Sequence, residues 1–142
     1  MKREKGSALL ETVLMIPLFM LLFMGVADYG RVFYTADIVV YAATAGAEYG
    51  AISTTNAANT SGMQTAATNA ATSISGLTAT ATSFCTCSAG GATVSCSSTC
   101  TSYGTPCMYV QVKTQATFKT LAAFPGLPHT IPLTAMSTLR VQ

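Results

Sequence analysis

Charge is nearly missing from this chain: only 8% of its 142 residues are Asp, Glu, Lys or Arg, and none falls between Tyr49 and Val112. No basic cluster is present to grip a phosphate backbone, so nucleic acid is not an expected partner. No Asp or Glu follows Glu48, which leaves the C-terminal two thirds without a carboxylate pair for acid/base work. The single histidine, His129, has no nearby carboxylate and no Ser or Cys partner arrangement, and reads as a surface loop residue. The cysteines lack the Cys-x-x-Cys-His of haem attachment and the paired Cys-x-x-Cys spacing of zinc sites. No catalytic set, metal site or cofactor is expected, and the chain does not read as an enzyme.

What the chain has in quantity is apolar surface: half its residues are hydrophobic. At this length that fits one membrane segment and one small domain. Lys2, Arg3 and Lys5 outweigh Glu4 ahead of the apolar run, and positive residues stay on the cytoplasmic side. Residues 8–27 reach the ~20 residues needed to cross ~30 Å of hydrocarbon. Pro17 lies inside the run, where it removes a backbone donor and frees the carbonyl of Val13, favouring a kink. Beyond Ala27, Tyr29, Val32, Phe33, Ala36, Val39, Val40, Ala43 and Ala47 recur at three- and four-residue steps, an amphipathic continuation reaching about residue 52. Gly30 weakens that helix locally, and the Ala- and Gly-rich far end admits close approach of another helix or sheet.

Three readings compete for this N-terminal segment. Gly25-Val26-Ala27 before Asp28 offers the small residues of a secretory cleavage site. A plain signal anchor is the second, with Glu11 reaching for the near interface. The third is a prepilin-type leader, residues 1–6, cut after Gly6 to leave the helix on the mature chain. Glu11 discriminates, because a charge within such a helix costs about 2.5–3.5 kcal/mol on insertion scales and needs a partner. Only the third reading gives Gly6 and Glu11 a joint purpose. After a cut at Gly6, Arg31, Lys113, Lys119 and Arg140 balance Glu11, Asp28, Asp37 and Glu48.

Gly6-Ser7-Ala8-Leu9-Leu10-Glu11 resembles the processing site of type IV pilin-like proteins. With Pro17, Asp28-Tyr29-Gly30-Arg31, Ala42-Ala43 and Gly46-Ala47-Glu48-Tyr49, the order of features resembles the TadE-like pseudopilins of the tight-adherence (Tad, or Flp) pilus system. Tyr109-Val110-Gln111-Val112, Phe124-Pro125-Gly126 and the closing Met136 to Val141 fit as well. Thr12 and Glu48 depart from the pattern, standing where an aromatic residue and an arginine are common, and leave the subtype open. The resemblance implies a minor pilin-like subunit for building an adhesive filament. It would be processed by a prepilin peptidase and held in the lipid of a bacterial inner membrane, N-terminus cytoplasmic and C-terminal domain periplasmic, on its way to an extracellular pilus. Its partners would be other pilin-like subunits and the inner-membrane assembly machinery. The resemblance also implies that Glu11 meets the N-terminal amine of a neighbouring subunit's Ser7. The alternative from another class is a membrane-anchored or secreted disulfide-bonded binding or adhesion domain.

The expected fold class is α+β: a long N-terminal helix, membrane-spanning over residues 7–27 and amphipathic over 28–52, packed with a small antiparallel sheet in a Cys-rich domain of residues 53–142. A second helix is expected near residues 64–74, stopped at Gly76. Strands are expected at residues 78–84, 92–96, 108–120 and 131–141, with Phe124-Pro125-Gly126-Leu127-Pro128 as the last turn. Asn59-Thr60-Ser61 matches a glycosylation triplet that a Thr-rich stretch produces by chance. Cys85, Cys87, Cys96, Cys100 and Cys107 lie in one window, where an oxidising compartment makes disulfides the default. Cys85 and Cys87, two apart on one strand face, each reach more readily across to Cys96, Cys100 or Cys107 than to each other. With five cysteines at least one is unpaired or pairs between chains, and choosing that one leaves fifteen arrangements open.

Overall fold

The computed structural model describes residues 4–101, 104–121 and 128–142, with side chains from Leu9 onward. Its dominant element is helix α1, Glu4–Ala51, whose 48 residues run about 70 Å at 1.5 Å per residue. The helix continues on both sides of Pro17. Two short helices follow, α2 (Thr54–Ala58) and α3 (Thr60–Ala70), and then strands β1 (Thr78–Thr86), β2 (Thr93–Val94), β3 (Cys107–Lys119) and β4 (Thr130–Arg140). The strands form one antiparallel sheet in the order β2-β1-β3-β4. The expected α+β architecture is what the chain adopts.

Alternation dictates which sheet face is buried. Along β3, Val110, Val112, Thr114, Ala116 and Phe118 are buried while Lys113, Gln115, Thr117 and Lys119 are exposed. Registered opposite the buried set are Leu139, Ser137, Ala135, Leu133 and Ile131 of β4. The outer half of α1 and helix α3 cover this inner face, and the core joins Ala47, Ala57, Met63, Ala67, Ala81, Val110, Val112 and Val141. Small residues on α1 set the spacing. A Cβ on Gly46 would lie 2.8 Å from the Met63 carbonyl oxygen and 3.1 Å from Val112, so no larger residue fits there without moving backbone. One buried hydroxyl crosses the layers: Thr114 Oγ1 donates to the Val39 carbonyl at 2.8 Å. At the far end of α1, the Gln142 amide donates to the Ala51 carbonyl at 3.1 Å and ties β4 to the helix terminus.

The second helix differs from expectation. It ends at Ala70, with Ala71 as C-cap, rather than running to residue 74. Its start is fixed by Asn59, whose side chain accepts from the Gly62 amide at 2.8 Å. Gly76, at φ 79°, forms the turn into β1 instead of stopping the helix directly. Helix α2 was not anticipated; Ser53 caps it by accepting from the Asn56 amide at 3.2 Å. The Phe124-Pro125-Gly126-Leu127 part of the expected turn lies outside the described residues.

Candidate functional site: the two halves of the long helix

Three groups of residues carry the functional expectations, and the fold places them far apart. The first is the apolar N-terminal segment. Gly6 and Ser7 lie in the opening turns of α1, and Glu11 follows on the same helix, exposed and without an ion pair among the described residues. From Leu9 to Val26 every large hydrophobic side chain is exposed, on all sides of the helix, with Leu14 at 72% and Phe23 at 67%. Among the described residues, no part of the outer domain covers them. A helix that is apolar all round and exposed all round needs an apolar surrounding, and this one is long enough to span a membrane.

The second group begins where the apolar run ends. Asp28 is 7% exposed although it is charged. Its two carboxylate oxygens each accept from the Leu121 amide at 3.1 Å, and Oδ1 also pairs with Arg31 at 3.2 Å. Arg31 in turn places its guanidinium 5.3 Å from the centre of the Phe118 ring. Asp28 and Arg31 sit three apart, one helical turn, so one carboxylate can hold both the arginine and the end of β3. The pair fastens the beginning of the β3–β4 connection to the helix at the point where the membrane-length segment gives way to the packed one. The spacing of the pair is visible in sequence; Leu121 and Phe118 are supplied by the fold. Gly30, the third residue of that motif, faces open space, and nothing in the structure explains it.

The cysteines form the third group. Cys85 pairs with Cys96 and Cys87 with Cys100, across Cα separations of 5.1 and 5.5 Å. Cys107 is left as the free thiol, half-buried. Both bridges tie the end of β1 to the segment before β3, a region with little regular structure of its own. His129 is exposed in the β3–β4 connection, its carbonyl accepting from the Thr120 amide at 3.1 Å. Among the described residues no group of three or more His, Cys, Asp or Glu side chains could hold a metal ion.

Comparison with known proteins bears on the first two groups. Residues 6–48 match the family of TadE-like proteins, a span that starts at Gly6 and includes Glu11, Pro17, Asp28 and Arg31. Over that segment, under a third of its length, the chain is similar to TadE-like proteins. No curated protein matches the chain, and no solved structure does. The TadE-like resemblance therefore stands on the helix, while the disulfide-bonded sheet domain is described by its own geometry.

Proposed function

We propose that this chain is a minor pilin-like subunit of a tight-adherence pilus. A prepilin peptidase cuts it after Gly6, so that Ser7 becomes the mature N-terminus. Residues 7–27 hold the subunit in the inner membrane, residues 28–52 carry the helix outward, and residues 53–142 form the periplasmic domain. The observation that carries this reading is the exposure of the whole Leu9–Val26 surface on a helix whose continuation is the spine of a folded domain. A secretory cut after Ala27 would sever that helix immediately before Asp28, the residue that holds Leu121.

Beyond the membrane-length segment, α1 keeps an exposed strip of Tyr29, Phe33, Tyr34, Val40 and Tyr41 on the side away from the sheet, with the Tyr29 and Phe33 rings 4.6 Å apart. Such a strip suits contact with neighbouring subunits. Glu11, stranded in apolar surroundings, is suited to the Ser7 amine of the next subunit, because two opposite charges in a low-dielectric setting offset part of each other's desolvation. The test is the N-terminal residue of protein taken from its native membrane, read by intact mass and terminal peptides beside a Gly6→Ala variant. A start at Ser7 that disappears in the variant is expected. A start at Asp28 or an uncut Met1, either one unaffected by the variant, overturns the processing step.

A further inference from the structure

Asp28, Arg31 and the end of β3 meet where the apolar run of α1 stops, and a cavity of about 520 Å³ opens beside them. That volume lies within the ~300–1,000 Å³ of small-molecule sites. Its walls come from three separate parts of the chain: Arg31 and Thr35 from α1, Ser73 and Ser75 from the turn before β1, and Thr117 and Lys119 from β3. Two of these are cations, the other four carry hydroxyls, and no Asp or Glu lines the cavity among the described residues. Arg31 is fixed in place by its pairing with Asp28 at 3.2 Å and by the Phe118 ring, whose centre lies 5.3 Å from the guanidinium carbon. The single contact of Nη1 with Asp28 leaves most of the guanidinium N–H donors for a ligand. Lys119 is exposed and makes no ion pair among the described residues.

The height of this cavity above the bilayer follows from the helix, and rests on the reading that residues 7–27 span the membrane. Arg31 then stands four residues past Ala27, about 6 Å further along the axis. A bilayer of ~40–45 Å around a ~30 Å hydrocarbon core has headgroup layers roughly 5–7 Å thick, so the guanidinium lies at the level of lipid phosphates. A second observation sets the same level. Leu121, whose amide is held by Asp28, is 65% exposed. Resting this end of the sheet on the bilayer gives that leucine apolar surroundings.

We propose that the cavity holds the headgroup of an anionic glycerophospholipid that bears hydroxyls and no ammonium, as in phosphatidylglycerol. The phosphodiester lies between Arg31 and Lys119 and takes charge-assisted hydrogen bonds from both. The headgroup glycerol meets Thr35, Ser73, Ser75 and Thr117. Thr35 Oγ1 already donates to the Arg31 carbonyl at 2.8 Å, so towards a glycerol hydroxyl it acts as acceptor. The wall chemistry selects among headgroups: an ethanolamine, choline or serine ammonium would find no carboxylate among the lining residues. The acyl chains run back beside the exposed apolar surface of α1. One lipid bound in this way fixes the depth at which the subunit sits.

The experiment uses the full chain reconstituted in phosphatidylcholine vesicles that contain spin-labelled lipids, with the immobilised fraction of each label read by electron paramagnetic resonance. Labelled phosphatidylglycerol should be retained in preference to labelled phosphatidylserine and phosphatidylcholine. Lys119→Gln should lower that preference by about fivefold, the worth of one cation beside anionic lipid, and Arg31→Gln by at least as much. Because Arg31→Gln also strips Asp28 of a partner, the exposed Lys119 keeps the test independent of folding. Lys113→Gln, on the same strand but about 20 Å further from the membrane, should change nothing. Equal retention of phosphatidylglycerol and phosphatidylserine, an unchanged preference in Lys119→Gln, or an equal loss from Lys113→Gln would each overturn the proposal. Inorganic phosphate added at constant ionic strength should leave the immobilised fraction as it was; displacement of the label would make free phosphate the ligand and overturn the assignment to lipid. Flotation of the same samples separates this site from the reading beneath it. A chain that does not float with the vesicles overturns the membrane span and the site together, whereas one that floats without preferring phosphatidylglycerol overturns the site alone.

Discussion

Along α1 the first half presents large side chains to its surroundings, Leu14 at 72% and Leu10 at 70% exposed, whereas the second half buries small ones, Ala42 and Ala47 both at 0%. The glycines divide in the same way. A Cβ on Gly25 or Gly30 would meet nothing within 4 Å, but one on Gly46 or Gly50 would run into Met63. A single continuous helix thus serves two environments. Large apolar residues suit an apolar surrounding, while small ones let a sheet and a second helix close onto the backbone. Asp28 marks the boundary, because a buried carboxylate is tolerable only where amide and guanidinium donors meet it.

Breaking the packed half without touching the exposed half should produce the largest effect. Met63 is completely buried against Ala47, Val110 and Val112, so Met63→Ala should destabilise the outer domain by about 2–5 kcal/mol in chemical denaturation, with membrane insertion unchanged. The opposite dissection is Leu14→Arg. It should lower the inserted fraction in a membrane-flotation assay by an amount reflecting about 2.5–3.5 kcal/mol, and leave the outer domain's unfolding midpoint where it was. A loss of outer-domain stability in that variant would show that the two halves are not independent.

The boundary itself can be probed with Asp28→Ala, which removes the acceptor of the Leu121 amide and the partner of Arg31. About 1.5–3 kcal/mol of stability should be lost, the range for hydrogen bonds to a charged group, with faster hydrogen exchange at Leu121. The smallest effect belongs to Thr114→Val, which deletes only the hydroxyl that reaches the Val39 carbonyl. A cost of about 0.5–1.5 kcal/mol is expected, read as a shift of the denaturation midpoint at constant slope.

Much of the fold was legible because it rests on local periodicity. The alternation of Tyr109 to Val112 announces β3, and the expected 108–120 differs from Cys107–Lys119 by a single residue at each end. The cap at Asn59 is equally local, and with it the second helix, expected near residues 64–74, begins four residues earlier, at Thr60. The helix face that would receive the sheet could be suspected from Ala42, Ala43 and Gly46. The contact of Asp28 with the Leu121 amide could not, since the two residues lie 93 positions apart.

The amino-acid sequence by itself determined the membrane-length apolar run, the Gly6 and Glu11 spacing, the strand alternation and the odd number of cysteines. Each depends only on residues close together in the chain. The tertiary structure alone decided which four cysteines pair and which stays free, and why Asp28 can be buried. Those outcomes depend on groups brought together across long stretches of chain, and sequence spacing places no limit on which of them meet.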